Sequence, residues 1–570
     1  MKRKYLNKRA VPTLVLFALS VAVFAACNSS ERNYSKAFDA SGSRKMSAGK
    51  GQSGPLGGEV RMIVPGTDAQ NDNPSVSEVA PLSLKERFLS EFKQYKEDQK
   101  KKDGSNALAL INKLIAKSSM NVRVTSNLAK KEGDEYYSVG EETVFVEGDY
   151  VSYVVSCELQ ENETAYVYLF YQDANGNVKL LYPNDLKNKD GVVGKTLEDL
   201  NGEVNKIEMG ETKTLPAKGD WLKATSPYGT EYLLAIVTNE KIKNEALREL
   251  VGENSLRSIS AEHIATFAKG LDPGTDVGAE PHSIIDPPSP GDKPNSTFKY
   301  GVSRLQTCVF ENEEKKQEYL ANPKTYFVGI GIDDYLDDIP KLSGCKNDVK
   351  GLAKVLQEQN AVNEAETIFL LDKEADVEHI KYLFSVFLPS VVRPCDRLIV
   401  HWSSHGERMN ENGYERMLFV PYDAEIISKV SMKLKVDSVI SSDDLNRWNY
   451  LLPGRKTLYL IDCCYAGGAI DQGFNWVSAT FTKSLGGTNM AIVASSSDDQ
   501  VSLIDQKNPN HSLMSGILTD YIRKQRGVDA FGLGDKIKDD VEKISVEQRN
   551  MKQHVWSASG MPEGEFIINP

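Results

Sequence analysis

The chain has 570 residues, of which 40% are hydrophobic and 26% are charged, and its formal net charge at pH 7 is −12. At roughly 100–200 residues per domain, this length allows about three to five structural units. The acidic balance disfavours nucleic acid as a main partner, because phosphate binding needs a clustered basic surface. The seven cysteines form no CxxC pair and no zinc-type spacing with histidine. At this density a disulfide framework is not expected.

The first 27 residues have the layout of an export signal. Basic residues are frequent in residues 1–10, and residues 11–26 are almost wholly apolar. This apolar run is shorter than the ~20 residues needed to span a bilayer. It ends in Phe24-Ala25-Ala26-Cys27, which resembles a bacterial lipoprotein signal although Phe24 departs from the preferred leucine. The resemblance implies lipidation of Cys27 and attachment to the bacterial cell envelope, on the periplasmic side or at the outer membrane. An uncleaved anchor and an ordinary signal peptide are the alternatives.

The next part of the chain predicts a tether, a helical segment and a β-rich domain. Residues 28–80 are polar and poor in apolar side chains, which favours a flexible tether. A capping box, Ser83 to Glu86, predicts the start of a helical segment over residues 81–120. Alternating apolar runs around a turn at residues 173–177 then predict a β-rich accessory domain over residues 141–270. Its Tyr-rich strands are expected to form core and rim, with a recognition surface as the alternative.

A second domain is predicted after a linker. Residues 271–298 are rich in proline, which is typical of an extended linker. From residue 324 to residue 570, short apolar runs alternate with helical patterns, which predicts an α/β fold with a mainly parallel sheet flanked by helices. Six runs predict six strands. The runs are Tyr326–Ile332, Thr367–Leu371, Arg397–Trp402, Met417–Val420, Thr457–Ile461 and Met490–Ala494.

Two of these runs end in side chains that can carry out chemistry. The third run leads into His405-Gly406, and the fifth leads into Asp462-Cys463-Cys464. A nucleophilic cysteine needs a nearby base, and residues at the ends of neighbouring parallel strands meet at one edge of the sheet. A glycine after the histidine would let a substrate backbone approach and would leave backbone N–H groups free to hold an oxyanion.

These two strand ends resemble the caspase-like cysteine peptidases, and within them the bacterial metacaspase-like branch. The similarity covers about Tyr326 to Ile522. It implies that Cys464 is the nucleophile, that His405 is its partner, and that backbone N–H groups at Gly406 and Cys464 hold the oxyanion. Ser404 and the extra thiol Cys463 depart from the family pattern. The accessory domain resembles a family of unknown function that often accompanies such peptidases in bacterial envelope proteins.

Strand alternation separates the two adjacent thiols, because successive side chains point to opposite faces. We therefore expect only one of Cys463 and Cys464 to face the cleft. His401 lies within a strand and is expected to be partly buried, while His511 and His554 have no motif support. Two other hypotheses remain: an inactive caspase-like scaffold that binds envelope partners through the β-rich domain, and redox sensing by the adjacent thiols.

The resemblance also implies a substrate pocket. It places Asp348 and Asp462 in the first subsite, where two carboxylates would favour Arg or Lys in protein or peptide substrates. Asp348 could instead be a helix N-terminal acid.

The resemblance implies one possible metal ion, calcium. Ligands of calcium-dependent relatives correspond to Asp423, Asp443, Asp444 and Asp471, and the alternative is that these are exposed acids and a helix-start pair. No cofactor is expected to be required for the chemistry.

Overall fold

The computed structural model describes residues 82–570 except for 101–106, 133–134, 160–162, 184–196, 216–220, 252–257, 272–297, 337, 412–413, 429–432, 453–455, 465–489 and 497–499. The predicted export signal with Cys27, the predicted tether and nearly all of the proline-rich linker lie outside the described residues. Among the helices that are described, none is both long enough and apolar enough to cross a membrane.

The described helices begin with the predicted capping box, in which the Ser83 N–H donates to Glu86 and the Glu86 N–H donates back to Ser83. Their bounds are α1 (Leu84–Lys100), α2 (Ala107–Lys117), α3 (Leu197–Leu200), α4 (Asn244–Val251), α5 (Ala261–Leu271), α6 (Glu313–Leu320), α7 (Cys345–Glu358), α8 (Val377–Tyr382), α9 (Leu388–Val391), α10 (Ser442–Tyr450), α11 (Leu513–Lys524) and α12 (Leu533–Arg549). A π-helical turn, Leu383–Phe387, joins α8 to α9.

The accessory region is built from two sheets. The first has the order β2-β1-β4-β8 with β9 also paired to β4, and the second has the order β3-β11-β10-β5-β6 with β7 paired to β5. The strand bounds are β1 (Val122–Glu132), β2 (Glu135–Glu141), β3 (Val144–Val146), β4 (Tyr150–Cys157), β5 (Thr164–Gln172), β6 (Val178–Tyr182), β7 (Lys206–Glu208), β8 (Thr212–Leu215), β9 (Leu222–Lys223), β10 (Gly229–Thr238) and β11 (Tyr300–Phe310).

Strand β5 shows how alternation builds a core on each face of the second sheet. Ala165, Val167 and Leu169 belong to the cluster that packs between the two sheets. Tyr168 and Phe170 point the other way and join a larger cluster. That larger cluster contains side chains from α1, α4 and α5 and continues into the C-terminal α/β region, so the two regions share one core.

Strand β11 extends the accessory region past its predicted end. It pairs with β10 over a ten-residue antiparallel register, from Gly229 opposite Val309 to Thr238 opposite Tyr300. Strand β1 likewise lies before the predicted start. The predicted range 141–270 therefore leaves out both strands, because β11 follows the linker and a linker predicts a change of domain.

The C-terminal region contains the predicted mainly parallel six-stranded sheet. Its order is β13-β12-β14-β20-β21-β22, in which the first five strands are parallel and β22 is antiparallel. The bounds are β12 (Thr325–Gly331), β13 (Thr367–Leu371), β14 (Arg397–Ser403), β20 (Lys456–Asp462), β21 (Met490–Ala494) and β22 (Trp556–Ser559).

One predicted strand of this sheet lies elsewhere. Most of the run Met417–Val420 belongs to β16 (Tyr414–Phe419), in a separate antiparallel sheet with β15 (Gly406–Glu411) and β19 (Ile440–Ser441). A further hairpin pairs β17 (Ile426–Ser428) with β18 (Lys433–Leu434). The run is buried as predicted, but burial of a short strand does not determine which sheet it joins. The sixth strand of the main sheet is β22, whose first residue, Trp556, is exposed.

Both faces of the main sheet are covered, which leaves its carboxyl edge for chemistry. On one face α7, α11 and α12 contribute Leu352, Leu518 and Ile537 to a buried cluster. On the other face the large cluster includes Trp402 of β14 and Phe88 of α1. Helices on both faces are the arrangement expected for a parallel sheet.

Candidate active site

The parallel pairing of β14 with β20 brings the predicted cysteine and histidine to the same edge. Ser403 lies opposite Asp462 at the ends of the two strands. His405 and Cys464 each follow two residues beyond this pair. The Ser404 N–H also donates to the Asp462 carbonyl at 3.3 Å, which ties the two strand ends together.

Gly406 is the point of closest approach between the two segments. A Cβ atom placed on Gly406 would lie 2.3 Å from the Cys464 carbonyl oxygen and 3.2 Å from the Cys463 Cβ. Because the nearer contact is with backbone, no side chain can move aside to make room. The close approach therefore requires glycine at this position.

Two groups from one loop hold His405. The Nε2 atom of its imidazole lies 2.7 Å from the Pro340 carbonyl oxygen. The backbone N–H of His405 donates to the Tyr335 hydroxyl at 2.9 Å. A carbonyl only accepts, so Nε2 carries the proton and donates to it. In a neutral imidazole this leaves Nδ1 as the nitrogen that can accept a proton.

The two adjacent thiols have different surroundings, as strand alternation predicts. Cys463 is 2% exposed and belongs to the large apolar cluster. Cys464 is half-buried, and the nearby Ser502 backbone N–H acts to lower the pKa of its thiol. Burial raises the pKa of Cys463 far more than that of Cys464. Cys464 is therefore the thiol of this pair that a substrate can reach.

The charge balance of the site favours a neutral resting state. Burial raises the pKa of the Cys464 thiol above 9.0, and Asp462 and Glu407 raise it further. Burial lowers the pKa of His405 below 6.5, against the opposing effect of the Pro340 carbonyl. Both pKa shifts disfavour the charged forms, which are the thiolate of Cys464 and the imidazolium of His405. At neutral pH the resting site thus holds a thiol and a neutral imidazole rather than an ion pair.

The two predicted pocket acids lie close to each other and are almost fully buried. Asp348 is 1% exposed and Asp462 is 3% exposed. Burial raises the pKa of Asp348 to about 6, and the charge of Asp462 adds to this rise. The structure therefore brings the two carboxylates together beside the strand ends.

Both acids accept several hydrogen bonds. Asp348 accepts from His511 Nδ1, the Ser512 N–H and the Ser403 hydroxyl, each at 3.0 Å. Asp462 accepts from the hydroxyls of Ser502, Ser512 and Ser515. The Ser515 N–H also donates to Asp462 at 3.2 Å. A carboxylate offers about four acceptor sites. A basic substrate side chain would thus share or replace donors that already satisfy these acids.

The acids assigned to calcium do not come together among the described residues. Asp444 completes a capping box with Ser441 and pairs with Arg447. Asp423 accepts from the Val377 N–H at 2.9 Å. Within the described part of the chain there is no group of three or more His, Cys, Asp or Glu side chains that could hold a metal ion. Asp471 lies outside the described residues.

His401, His511 and His554 lie in three different surroundings. His401 is fully buried and its Nε2 lies 2.9 Å from the Ser515 hydroxyl. His554 is near Glu542 at the surface. His511, which has no motif support, contacts the candidate pocket through Asp348.

Sequence reasoning missed the groups that orient the site. The Pro340 carbonyl, which accepts from His405, and Ser502 and Ser515, which donate to Asp462, carry no motif.

Comparison with known protein families identifies both regions. Residues 328–567 match the family model described as the caspase domain, and residues 145–241 match a domain of unknown function, DUF4384. These ranges contain all of the candidate catalytic and pocket residues in the first case, and β4, β5 and β10 in the second.

Metacaspases are among the curated proteins to which this chain is similar. Metacaspase-4 of Arabidopsis thaliana is 27% identical over 165 residues, covering 27% of this chain and 36% of the plant protein. Metacaspase-1 of Eremothecium gossypii is 25% identical over 179 residues, covering 30% and 38%. Metacaspase-3 of Trypanosoma brucei brucei is 26% identical over 201 residues, covering 32% and 53%. The chain thus spans about a third to a half of the length of these relatives.

A solved structure of caspase-1 from Spodoptera frugiperda aligns with 42% of this chain and 86% of its own length, at 17% identity and a TM-score of 0.29. The assignment depends on the family match and the metacaspase relatives rather than on this superposition. Residues 328–567 of this chain are thus similar to the caspase domains of the C14 peptidase family, and residues 145–241 are similar to the DUF4384 domains.

Proposed function

We propose that this chain is a cysteine endopeptidase that cleaves protein or peptide substrates after Arg or Lys, with Cys464 as nucleophile and His405 as base. The observation that carries the proposal is the parallel register of β14 and β20, which puts the two residues beyond the same edge of the sheet. The caspase-domain match over this region supports the same reaction class.

The attack begins from the neutral pair. His405 Nδ1 accepts the Cys464 thiol proton as the sulfur forms its bond to the substrate carbonyl carbon. The Pro340 carbonyl, bonded to Nε2–H, stabilises the imidazolium that forms. Backbone N–H groups at Gly406 and Cys464 are the proposed donors to the oxyanion.

The second half of the reaction passes the proton to the leaving amine and finally restores the thiol. The imidazolium donates its Nδ1 proton to the leaving amine as the C–N bond breaks, which leaves a thioester on Cys464. Water then attacks the thioester carbonyl while His405 accepts a proton from it. Collapse of this intermediate releases the carboxyl product, and the sulfur takes back the proton.

The basic preference follows from the two acids near the strand ends. Asp348 and Asp462 are buried, so a bound guanidinium or ammonium would meet them in a low-dielectric setting where ion pairing is strong. An aspartate side chain would be repelled by the same charges.

The envelope location is proposed from the sequence alone. Lipidation of Cys27 would tether the peptidase to a bacterial membrane, with protein or peptide substrates reached from that surface. Replacing Cys27 with Ser should move the protein from the membrane fraction to the soluble fraction. Retention in the membrane fraction would contradict the lipid anchor.

The decisive experiment is a peptide library that varies the residue before the cleaved bond. Wild type is expected to cut after Arg and Lys, Cys464→Ala to be inactive, and the matched Cys463→Ala variant to retain activity. Loss of activity in Cys463→Ala alone would move the nucleophile by one residue. If no peptide is cut and a thiol-reactive Arg analogue leaves Cys464 unlabelled, the inactive scaffold is the correct function.

A further inference from the structure

A cavity of about 610 Å³ lies away from the peptidase site, between the accessory sheet and the helices that cover it. Side chains from α1, α2, β10 and α5 line it, and Tyr382 and Val386 of the C-terminal region close one side. Its volume falls within the range of roughly 300–1,000 Å³ that is typical of small-molecule sites. Most of the lining is apolar, including Leu234, Ile236 and Phe267.

One charged side chain of the lining lacks a counter-charge among the residues that the structure describes. Arg304 of β11 is 8% exposed, and its Nη2 atom has no hydrogen-bond partner in the described part of the chain. Its Nη1 atom lies 3.5 Å from Asn112 Oδ1, the limit of a hydrogen bond, and its Cζ lies 5.3 Å from the Tyr232 ring centroid. The guanidinium is thus held mainly against an aromatic face.

The acidic residue of the lining does not supply that counter-charge. Of the described residues that line the cavity, Glu91 alone is acidic, and its Oε1 atom pairs with Arg87 Nε at 2.7 Å. Burial lowers the pKa of Arg304, but a guanidinium stays protonated in proteins. A buried charge without a partner is costly. Within the described residues, the cavity therefore combines an apolar wall with one unsatisfied cation.

We propose that this cavity binds a small amphipathic acid, in which a carboxylate pairs with Arg304 and an apolar chain packs against Leu234, Ile236 and Phe267. A guanidinium offers a planar pair of donors that matches a carboxylate. The free Nη2 atom supplies one of these donors, and the long contact from Nη1 to Asn112 is weak enough to be exchanged for the second. This binding does not depend on peptidase activity.

Laurate is a suitable probe, and dodecanol is its uncharged match. Calorimetric titration of the full chain below the micelle concentration should show laurate binding to wild type with a rise in unfolding temperature. Arg304→Met should weaken the binding of laurate by about tenfold or more, which is the loss expected for a charge-assisted hydrogen bond. Dodecanol should bind wild type and Arg304→Met equally. Ile264 is a half-buried residue of the lining. Ile264→Trp would fill the cavity and should weaken the binding of both probes.

Two results would overturn the proposal. The first is that laurate fails to bind wild type, or binds wild type and Arg304→Met equally. The second concerns the free protein. Removing an unpaired buried cation should leave the unfolding temperature of Arg304→Met unchanged or higher. A marked fall would mean that an acid from outside the described residues already neutralises Arg304, because breaking a buried pair destabilises.

Discussion

His511 Nδ1 lies 3.0 Å from Asp348 Oδ1, so a titratable group faces the acid that we propose selects the substrate. The contact raises the pKa of His511, and burial raises the pKa of Asp348 to about 6. As the pH falls, Asp348 loses its charge while His511 gains one. Both changes make the pocket less negative, which connects substrate preference to pH.

The first prediction is an acid limb near pH 6 in kcat/KM for Arg substrates. The attraction of ionised Asp348 for a basic side chain is present above pH 6 and is lost as pH falls through that value. Because bound Arg would keep Asp348 ionised, the limb should be weaker in kcat, which reports the complex. Asp348→Asn should lower kcat/KM at pH 7.5 by about 10–100-fold, the loss expected for a charge-assisted hydrogen bond.

The matched control is Glu358→Gln, which changes an exposed acid paired with Lys354 on α7, the helix that carries Asp348. This control should leave the pH profile of kcat/KM for Arg substrates unchanged. Burial lowers the pKa of His405, so protonation of its imidazole should leave Asp348→Asn with an acid limb that is equally strong in kcat and in kcat/KM. An identical profile for Asp348→Asn and wild type would mean that Asp348 does not contact substrate.

The second prediction concerns the resting thiol. Since burial raises the pKa of the Cys464 thiol, its alkylation by iodoacetamide should speed up steadily as pH rises from neutral into the alkaline range. A preformed ion pair would instead give a rate that is already constant in weak acid. Peptide mapping by mass spectrometry separates Cys464 from the partly exposed Cys395, and Cys464→Ala confirms the assignment. Cys463 should stay unlabelled in the folded protein.

The third prediction tests the loop that holds the imidazole. Tyr335→Phe removes the acceptor of the His405 backbone N–H. An unsatisfied buried N–H costs about 1–3 kcal/mol, so unfolding free energy should fall by that amount and kcat should fall about tenfold with little change in KM. The control is Tyr326→Phe, whose hydroxyl makes only a 3.4 Å contact with the Val391 carbonyl. Equal effects of the two variants would exclude a positioning role for Tyr335.

The strand ends could be predicted from sequence because their geometry is general. Parallel strands deliver their carboxyl ends to one edge, so the runs before His405 and Cys464 sufficed to predict that the two residues meet. Alternation likewise predicted that Cys463 is buried. The Pro340 carbonyl could not be predicted, because every residue has such a group and only the folded loop aims this one at His405.

Strand pairing at a distance was harder to predict. Strand β22 is short and has an exposed Trp556, so it lacks the apolar run that indicated the other five strands. The run at Met417 has that pattern but pairs in another sheet. Apolar patterns report burial, whereas pairing depends on which edge is open once the chain has folded.

The fourth prediction is that calcium is not needed for turnover. Asp423 and Asp444 already cap helices, so they would have to give up these bonds to bind a cation. Treatment with EGTA should change peptide cleavage by no more than about twofold, since hard cations need several free oxygen ligands. A loss of more than about tenfold that calcium restores and magnesium does not would contradict this. In that case Asp471→Ala would test the ligand outside the described residues.

The fifth prediction is that α1 is part of the peptidase core although it precedes the accessory domain in sequence. Phe88 is fully buried and packs on the C-terminal region, with its ring centroid 5.3 Å from Phe387 and 5.9 Å from Tyr382. Phe88→Ala should lower the unfolding free energy by about 3–5 kcal/mol. The adjacent Leu89 is 39% exposed, so Leu89→Ala should change it by about 0.5 kcal/mol or less. Denaturant titration measures both, and equal values would show that α1 does not dock as described. If Phe88→Ala also slows peptide cleavage while Leu89→Ala does not, the docked helix contributes to the active form of the peptidase domain.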